Sequence, residues 1–155
     1  MLGITKEDFV LRAQSFDLTQ PWNLLRIIAG AFMFPHVASK IAAGGLSACV
    51  IGFFAKAGFQ PPEAWVILAA MAEASTGLAL VLGLCTRFAA LGAAFALAIA
   101  VYALNAIKGF SWLWNMGGYE YPVFWGLVCL AVAMNEFRSD RSQAWRPSQS
   151  TRPVA

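Results

Sequence analysis

One carboxyl group constrains this chain more than any other residue. Glu73 lies near the middle of the apolar run Pro62 to Leu84. Such a run is long enough to cross a bilayer, which takes about 20 residues. Inserting a charged residue at mid-membrane costs on the order of 2.5 to 3.5 kcal/mol. A helix therefore keeps one there for function or for a buried partner. Either way the chain must fold so that Glu73 faces protein rather than lipid.

Composition agrees with a membrane protein. Of 155 residues, 59% are hydrophobic and 12% charged, against about 25% charged in ordinary soluble domains. Mean hydropathy is +0.63. No second domain fits beside the apolar segments. Residues 1 to 21 contain Lys6, Glu7, Asp8, Arg12 and Asp17 and no apolar core of a secretion signal. The first span is thus expected to act as an uncleaved anchor.

Punctuation along the chain divides it into four spans. Thr5 to Asp8 resembles a capping box. Phe9, Ala13 and Phe16 behind it predict a short interfacial helix over 6–16. Span 1 runs from about Trp22 to Lys40, with Pro35 expected to bend it near its far end. Gly44 and Gly45 break the helix. Leu46 to Ala57 is apolar but too short to cross, and reads as an interfacial or re-entrant segment anchored by Phe53 and Phe54. Span 2 is Pro62 to Leu84. A tight turn at Cys85, Thr86 and Arg87 leads to span 3, Phe88 to Ile107, which has no charge. Span 4 is Tyr119 to Phe137, and the polar tail from Arg138 is expected to be disordered. The expectation is an all-α integral membrane four-helix bundle: an N-terminal interfacial part (1–21), a four-span domain (22–137) and a tail (138–155).

Four spans place both ends on one side. Lys6, Arg12, Arg87, Arg138, Arg141, Arg146 and Arg152 share that side; Lys40, Lys56 and Lys108 share the other. Seven against three predicts both termini in the cytoplasm. Basic residues used this way signal topology rather than nucleic-acid binding. Small residues recur along span 3 at Gly92, Ala96 and Ala100 and at Ala90, Ala94 and Ala98, with Ala69, Ala70 and Gly77 on span 2. These predict close helix approach in lipid. A homo-oligomer is compatible with the same faces.

Polar residues inside the spans mark the candidate site. Arg26, Ala29, Met33, His36 and Lys40 fall at helical spacing on one face of span 1. Glu73 on span 2 and Glu120 at the start of span 4 are the acids available to it. By depth, Glu73 can meet Arg26 or the middle of the stripe, and Glu120 is level with His36. A polar pocket opening outward is expected. His36 and Glu73 would handle protons, since histidine titrates near neutral pH. Arg26 and Glu120 would contact a ligand, with Trp112, Trp114, Tyr119 and Trp125 offering flat faces to a ring. The plain structural alternatives are a register-fixing Arg26–Glu73 pair, an interfacial His36, a Glu120 favoured by its helix dipole and tryptophans anchoring at the interface. Cys49, Cys85 and Cys129 have no metal or redox spacing and read as small buried hydrophobes.

The ordered set of motifs resembles the DoxX/DoxD family of small four-span bacterial membrane proteins. The matching stretches are Leu25-Arg26 through Gly30, Phe34-Pro35-His36 followed by Lys40, and Phe53-Phe54 through Gly58. Ala72-Glu73 through Gly77, Leu82-Gly83-Leu84 through Arg87, and Gly117 through Pro122 complete it, over about residues 22–135. The resemblance implies a bacterial inner-membrane bundle whose arginine, histidine and glutamates are shared polar positions. It also implies an association with quinone-linked sulfur oxidation and with membrane complexes that handle oxidative stress. Two departures stand out. Val37 follows the histidine where the family often has glycine, and Ala133 to Asp140 replaces a Gly-rich C-terminal motif.

These readings converge on a membrane oxidoreductase subunit that binds a quinone-like ligand. No flavin, haem or iron–sulfur signature is present, so no covalently bound cofactor is expected, and electrons would come from a partner subunit or the ligand. Two rivals use the same residues: a proton or small-solute transport module, and a non-catalytic membrane scaffold for a partner protein. A transporter would more often show inverted repeats and broken helices.

Overall fold

The computed structural model describes residues 3–42 and 45–144 and is 77% helical. The first span is α1 (Pro21–Ala31) followed by α2 (Met33–Lys40), interrupted at Phe32. The break lies upstream of Pro35. Proline lacks an N–H for the carbonyl four residues earlier and its ring crowds it, so the distortion falls in the preceding turn, at Ala31 and Phe32. Helix α2 ends at Lys40, where Ile41–Ala42 (β1) pairs antiparallel with Gly45–Leu46 (β2). Of the expected Gly44–Gly45 breaker, Gly44 lies outside the described residues.

Helix α3 (Ala48–Lys56) is the short apolar segment. It packs mainly on α4 (Pro62–Leu82), which begins with proline in its first turn and ends at Gly83 in the left-handed region (φ 73°). Helix α5 (Thr86–Lys108) follows after three residues, and α6 (Glu120–Ala144) after a loop containing one 3-10 turn at Trp114–Met116. Helix α4 and helix α5 are each long and apolar enough to cross a membrane, with mean hydropathy 1.8 and 2.0. Only 17% and 28% of those apolar windows are buried. A soluble core helix would hide that surface; here Leu68, Met71, Leu78, Phe95 and Tyr102 project outward.

Two expectations about the ends change. The segment 6–16 is not one amphipathic helix but two 3-10 turns, Lys6–Phe9 and Ala13–Phe16, with no buried residue. The capping box is present: the Thr5 N–H donates to Asp8 Oδ2 at 2.7 Å. The chain is turned at Val10 to Arg12 because its polar groups bond outward to the bundle. The Cys85 N–H donates to the Asp8 carbonyl at 2.8 Å, and Arg87 donates to the Asp8 carboxylate at 2.9 Å. At the other end, α6 runs past Arg138 to Ala144, so the start of the expected tail is helical. Arg146 and Arg152 lie outside the described residues.

The long helices close into a ring: α1 contacts α4 and α6, and α5 contacts α4 and α6. A core of Ala29, Met33, Leu80, Ala90, Ala93, Leu97, Trp125, Cys129 and Val132 sits where they meet. The tightest approach is between α1 and α4. A Cβ placed on Gly30 would stand 2.7 Å from the Gly77 carbonyl oxygen and 2.7 Å from Leu80 Cβ. One placed on Gly77 would stand 2.9 Å from the Gly30 carbonyl oxygen. The two backbones touch, and close backbone approach is what drives helix association where lipid is as apolar as the helices. The small residues of α5 behave differently from expectation. Gly92 approaches Thr76 on α4, but Ala96 and Ala100 face a cavity rather than another backbone. Of the cysteines only Cys129 is buried, Cys85 is half-buried, and Cys49 on α3 is exposed.

Gly30→Ala is expected to cost about 1 to 3 kcal/mol by overpacking, read as a lowered thermal unfolding midpoint in detergent. Gly52→Ala on α3, where an added Cβ meets nothing within 4 Å, is the control. It should be neutral or slightly stabilising because alanine favours a helix over glycine.

Candidate functional site

Two polar centres stand at opposite ends of the bundle. The first is built around Glu73, and its partner is not Arg26. Lys40 closes the last turn of α2 and points back along its own helix, its Nζ donating to the His36 carbonyl at 3.1 Å. The same ammonium meets both carboxylate oxygens of Glu73, at 2.8 and 2.7 Å. The side chains are 9% and 17% exposed, so the pair is shielded from water yet reachable from one side. That side is a cavity of about 610 Å³, within the usual range for a small-molecule pocket.

Helices α2, α3, α4, α5 and α6 all line this cavity. Met33, His36 and Lys40 come from α2, and Phe53 and Phe54 from α3. Trp65 and Glu73 come from α4, Leu97 and Ala100 from α5, and Tyr121 and Trp125 from α6. The expected polar pocket is therefore an apolar and aromatic chamber with one ionised floor. Trp125 stacks at a tilt against His36, with ring centroids 5.4 Å apart, and its indole N–H donates to the Ala29 carbonyl at 3.2 Å. Phe59 buttresses the aromatic wall from behind, 5.5 Å from Phe54 and 5.1 Å from Trp65.

The second centre holds Arg26. It is 2% exposed, and its guanidinium donates to the carbonyls of Leu80, Val81 and Ser15. Leu80 and Val81 lie in the last turn of α4, where carbonyls have spare acceptor capacity and the helix dipole favours a cation; the Leu80 carbonyl also accepts the Gly83 N–H at 3.3 Å. Gly83 makes room: a Cβ there would lie 3.0 Å from Arg26 Nη1. Beside it, Arg87 pairs with Asp8 at 2.9 Å and lies 5.0 Å from the Phe88 ring centroid. These groups, with Arg12, Cys85, Glu136 and Ser139, line a polar cleft of about 580 Å³. The Cys85 thiol sits between α4 and α5. Its burial, and then the Asp8 carboxylate, push it above the ordinary thiol range, partly offset by Arg87.

Of the expected site residues, His36, Glu73 and Trp125 share the cavity. Arg26 does not; it fastens α1 to the end of α4. Glu120 opens α6 and its N–H donates to the Trp112 carbonyl at 3.0 Å. Trp112 and Trp114 lie in the α5–α6 loop, 46% and 67% exposed. Tyr119 packs edge-on to Trp112 at 6.0 Å. None of these four lines the cavity. The residues not expected at a site are Phe54, Trp65, Tyr121 and, at the other end, Glu136. Lys40 was visible as the last member of the polar stripe on α1 and α2. Its claim on Glu73 follows only from the folded register. Among the described residues no three His, Cys, Asp or Glu side chains cluster closely enough to hold a metal.

An apolar helical ring with an ion pair lining an open cavity defines a helical membrane protein with a small-molecule cavity. The chain belongs to the DoxX family, whose profile matches residues 22–106. That stretch contains Arg26, His36, Lys40 and Glu73. No curated protein and no solved structure matches the chain.

Removing one member of a shielded ion pair leaves a bare charge, at a cost of about 3 kcal/mol, whereas removing both can be nearly neutral. Lys40→Met and Glu73→Leu should each lower the unfolding midpoint in detergent, and the double variant should recover most of the loss. Equal and additive losses would show that the two charges are not coupled.

Proposed function

We propose that the chain crosses a bacterial inner membrane four times, through α1 with α2, α4, α5 and α6, with both termini in the cytoplasm. In this reading residues 22–137 form the membrane domain and 1–21 a segment lying at the cytoplasmic surface. The segregation of charge supports it. Lys6, Arg12 and Arg87 belong to the end that carries the Asp8–Arg87 pair, while Lys40, Lys56 and Lys108 close helices at the other end. Outward apolar side chains on α6, among them Phe124, Leu127 and Met134, supply a lipid-facing surface for the fourth span.

The function that fits best is binding of a quinone-like lipophilic ring in the chamber, as the membrane subunit of an oxidoreductase system. The observation that carries this reading is the chamber itself, apolar and aromatic in its walls and ionised at one point. Its walls would hold a flat ring and tail, and Glu73 and His36 would exchange protons with the head of the ligand. Lys40 would hold the Glu73 side chain in place between exchanges. Arg26 is a positioning residue that holds α1 in register with α4. Electrons would pass through the ligand to or from a partner subunit.

Mass spectrometry of the lipid extract from purified protein tests this. Wild type should retain close to one quinone per chain, dicarbonyl and dihydroxy forms counted together, and folded Glu73→Gln should lose it. Wild type purified without any quinone would shift the assignment to transport or scaffolding. Topology is checked by a membrane-impermeant maleimide in spheroplasts. Exposed Cys49 should label from outside, and Cys85 only after permeabilisation. Cys85 labelling should then rise steeply on the alkaline side, because its raised titration range leaves little thiolate at neutral pH.

A further inference from the structure

The hydrogen bonds at the chamber floor restrict its ligands more than its shape does. A lysine ammonium has three N–H donors and no acceptor. All three of Lys40 are engaged, two with Glu73 and one with the His36 carbonyl. The other fixed donors around the chamber are also taken. The Ser39 hydroxyl bonds the His36 carbonyl at 2.8 Å, and the indole N–H groups of Trp65 and Trp125 bond the carbonyls of Gln60 and Ala29. A carboxylate has about four acceptor positions. Lys40 is the only donor to the Glu73 carboxylate among the described residues. The ionised floor therefore has acceptor capacity left and no donor capacity. His36 and Tyr121, further along the wall, can serve either way.

We propose that the chamber selects a neutral head group carrying a hydroxyl, and that Glu73 is the residue that selects it. A hydroxyl donates to the carboxylate without disturbing Lys40. A carbonyl in the same place would meet only lone pairs, and an anion would meet a carboxylate with its one cation already compensated. For a ring that exists in both forms, the dihydroxy form binds more tightly than the dicarbonyl form. This rests on the reading of the chamber as a lipophile site and adds which chemical form it holds.

Three probes of one shape isolate the donor. These are para-nonylphenol, para-nonylanisole, which lacks the hydroxyl proton, and the anion para-nonylbenzoate. Radiolabelled probes are bound to the full chain in nanodiscs, with empty nanodiscs subtracted. Wild type should hold the phenol roughly tenfold more tightly than the anisole, the size of one hydrogen bond to a charged acceptor. It should give no saturable binding of the benzoate. The double variant Lys40→Met/Glu73→Leu, which keeps the wall but removes the floor, should hold phenol and anisole within about twofold of each other. Glu73→Gln, which leaves the ammonium uncompensated, should gain binding of the benzoate. Equal saturable binding of phenol and anisole by wild type would overturn the selection and leave the lipophile site standing. Saturable binding of none of the three would overturn both.

Discussion

The contact between Gly30 and Gly77 sets the register on which the rest of the bundle depends. Two backbones that touch at one point along antiparallel helices bring defined residues opposite each other on either side. One turn before Gly30 stands Arg26, and one turn after Gly77 stand the last carbonyls of α4. In the other direction α2 carries Lys40 toward Glu73, one turn before Gly77. The break at Phe32 and the backward reach of the lysine chain close the remaining offset. A side chain at either glycine would push α1 off α4 and separate both polar contacts together.

Both charged groups of the first span are thus satisfied, by different kinds of partner. Arg26 is held by backbone oxygens at a helix terminus, where orphan carbonyls and the dipole act together. Lys40 is held by a carboxylate, and the pair stays partly reachable because both side chains line the open cavity. The difference separates structure from chemistry. A guanidinium bonded to three carbonyls fastens helices. An ion pair with acceptor capacity left, facing a 610 Å³ chamber, can receive a ligand. The polar end near Arg87 does a third thing: it gathers the N-terminal segment against the α4–α5 turn through Asp8 and Cys85.

Much of the helical layout could be read from residue patterns, since apolar runs, prolines and glycines act locally. The α4 and α5 boundaries fall within two residues of those expected, because Pro62, Gly83 and Gly109 punctuate them. The segment 6–16 departs from the helix its apolar spacing predicts for a tertiary reason. Its apolar spacing suits a helix, but its backbone is drawn onto the α4–α5 turn instead. The candidate site was half readable. His36, Glu73 and Trp125 stand out as ionisable or aromatic groups within apolar stretches. Of the two partners open to Glu73, Arg26 is taken by carbonyls at a helix end, which side-chain types do not reveal. The loop tryptophans had the right chemistry and the wrong place, since no local signal says which way a loop carries an aromatic ring.

By itself the sequence determined that this is a helical protein of apolar spans, and that its few intramembrane charges must turn inward. Both follow from the cost of exposing backbone or charge to lipid, which depends on residue type alone. Which charge meets which, and that small residues on α5 leave a chamber rather than a tight seam, were decided by tertiary structure. Those outcomes depend on the register of α1 against α4. That register is set by a contact between two glycines 47 positions apart in the chain.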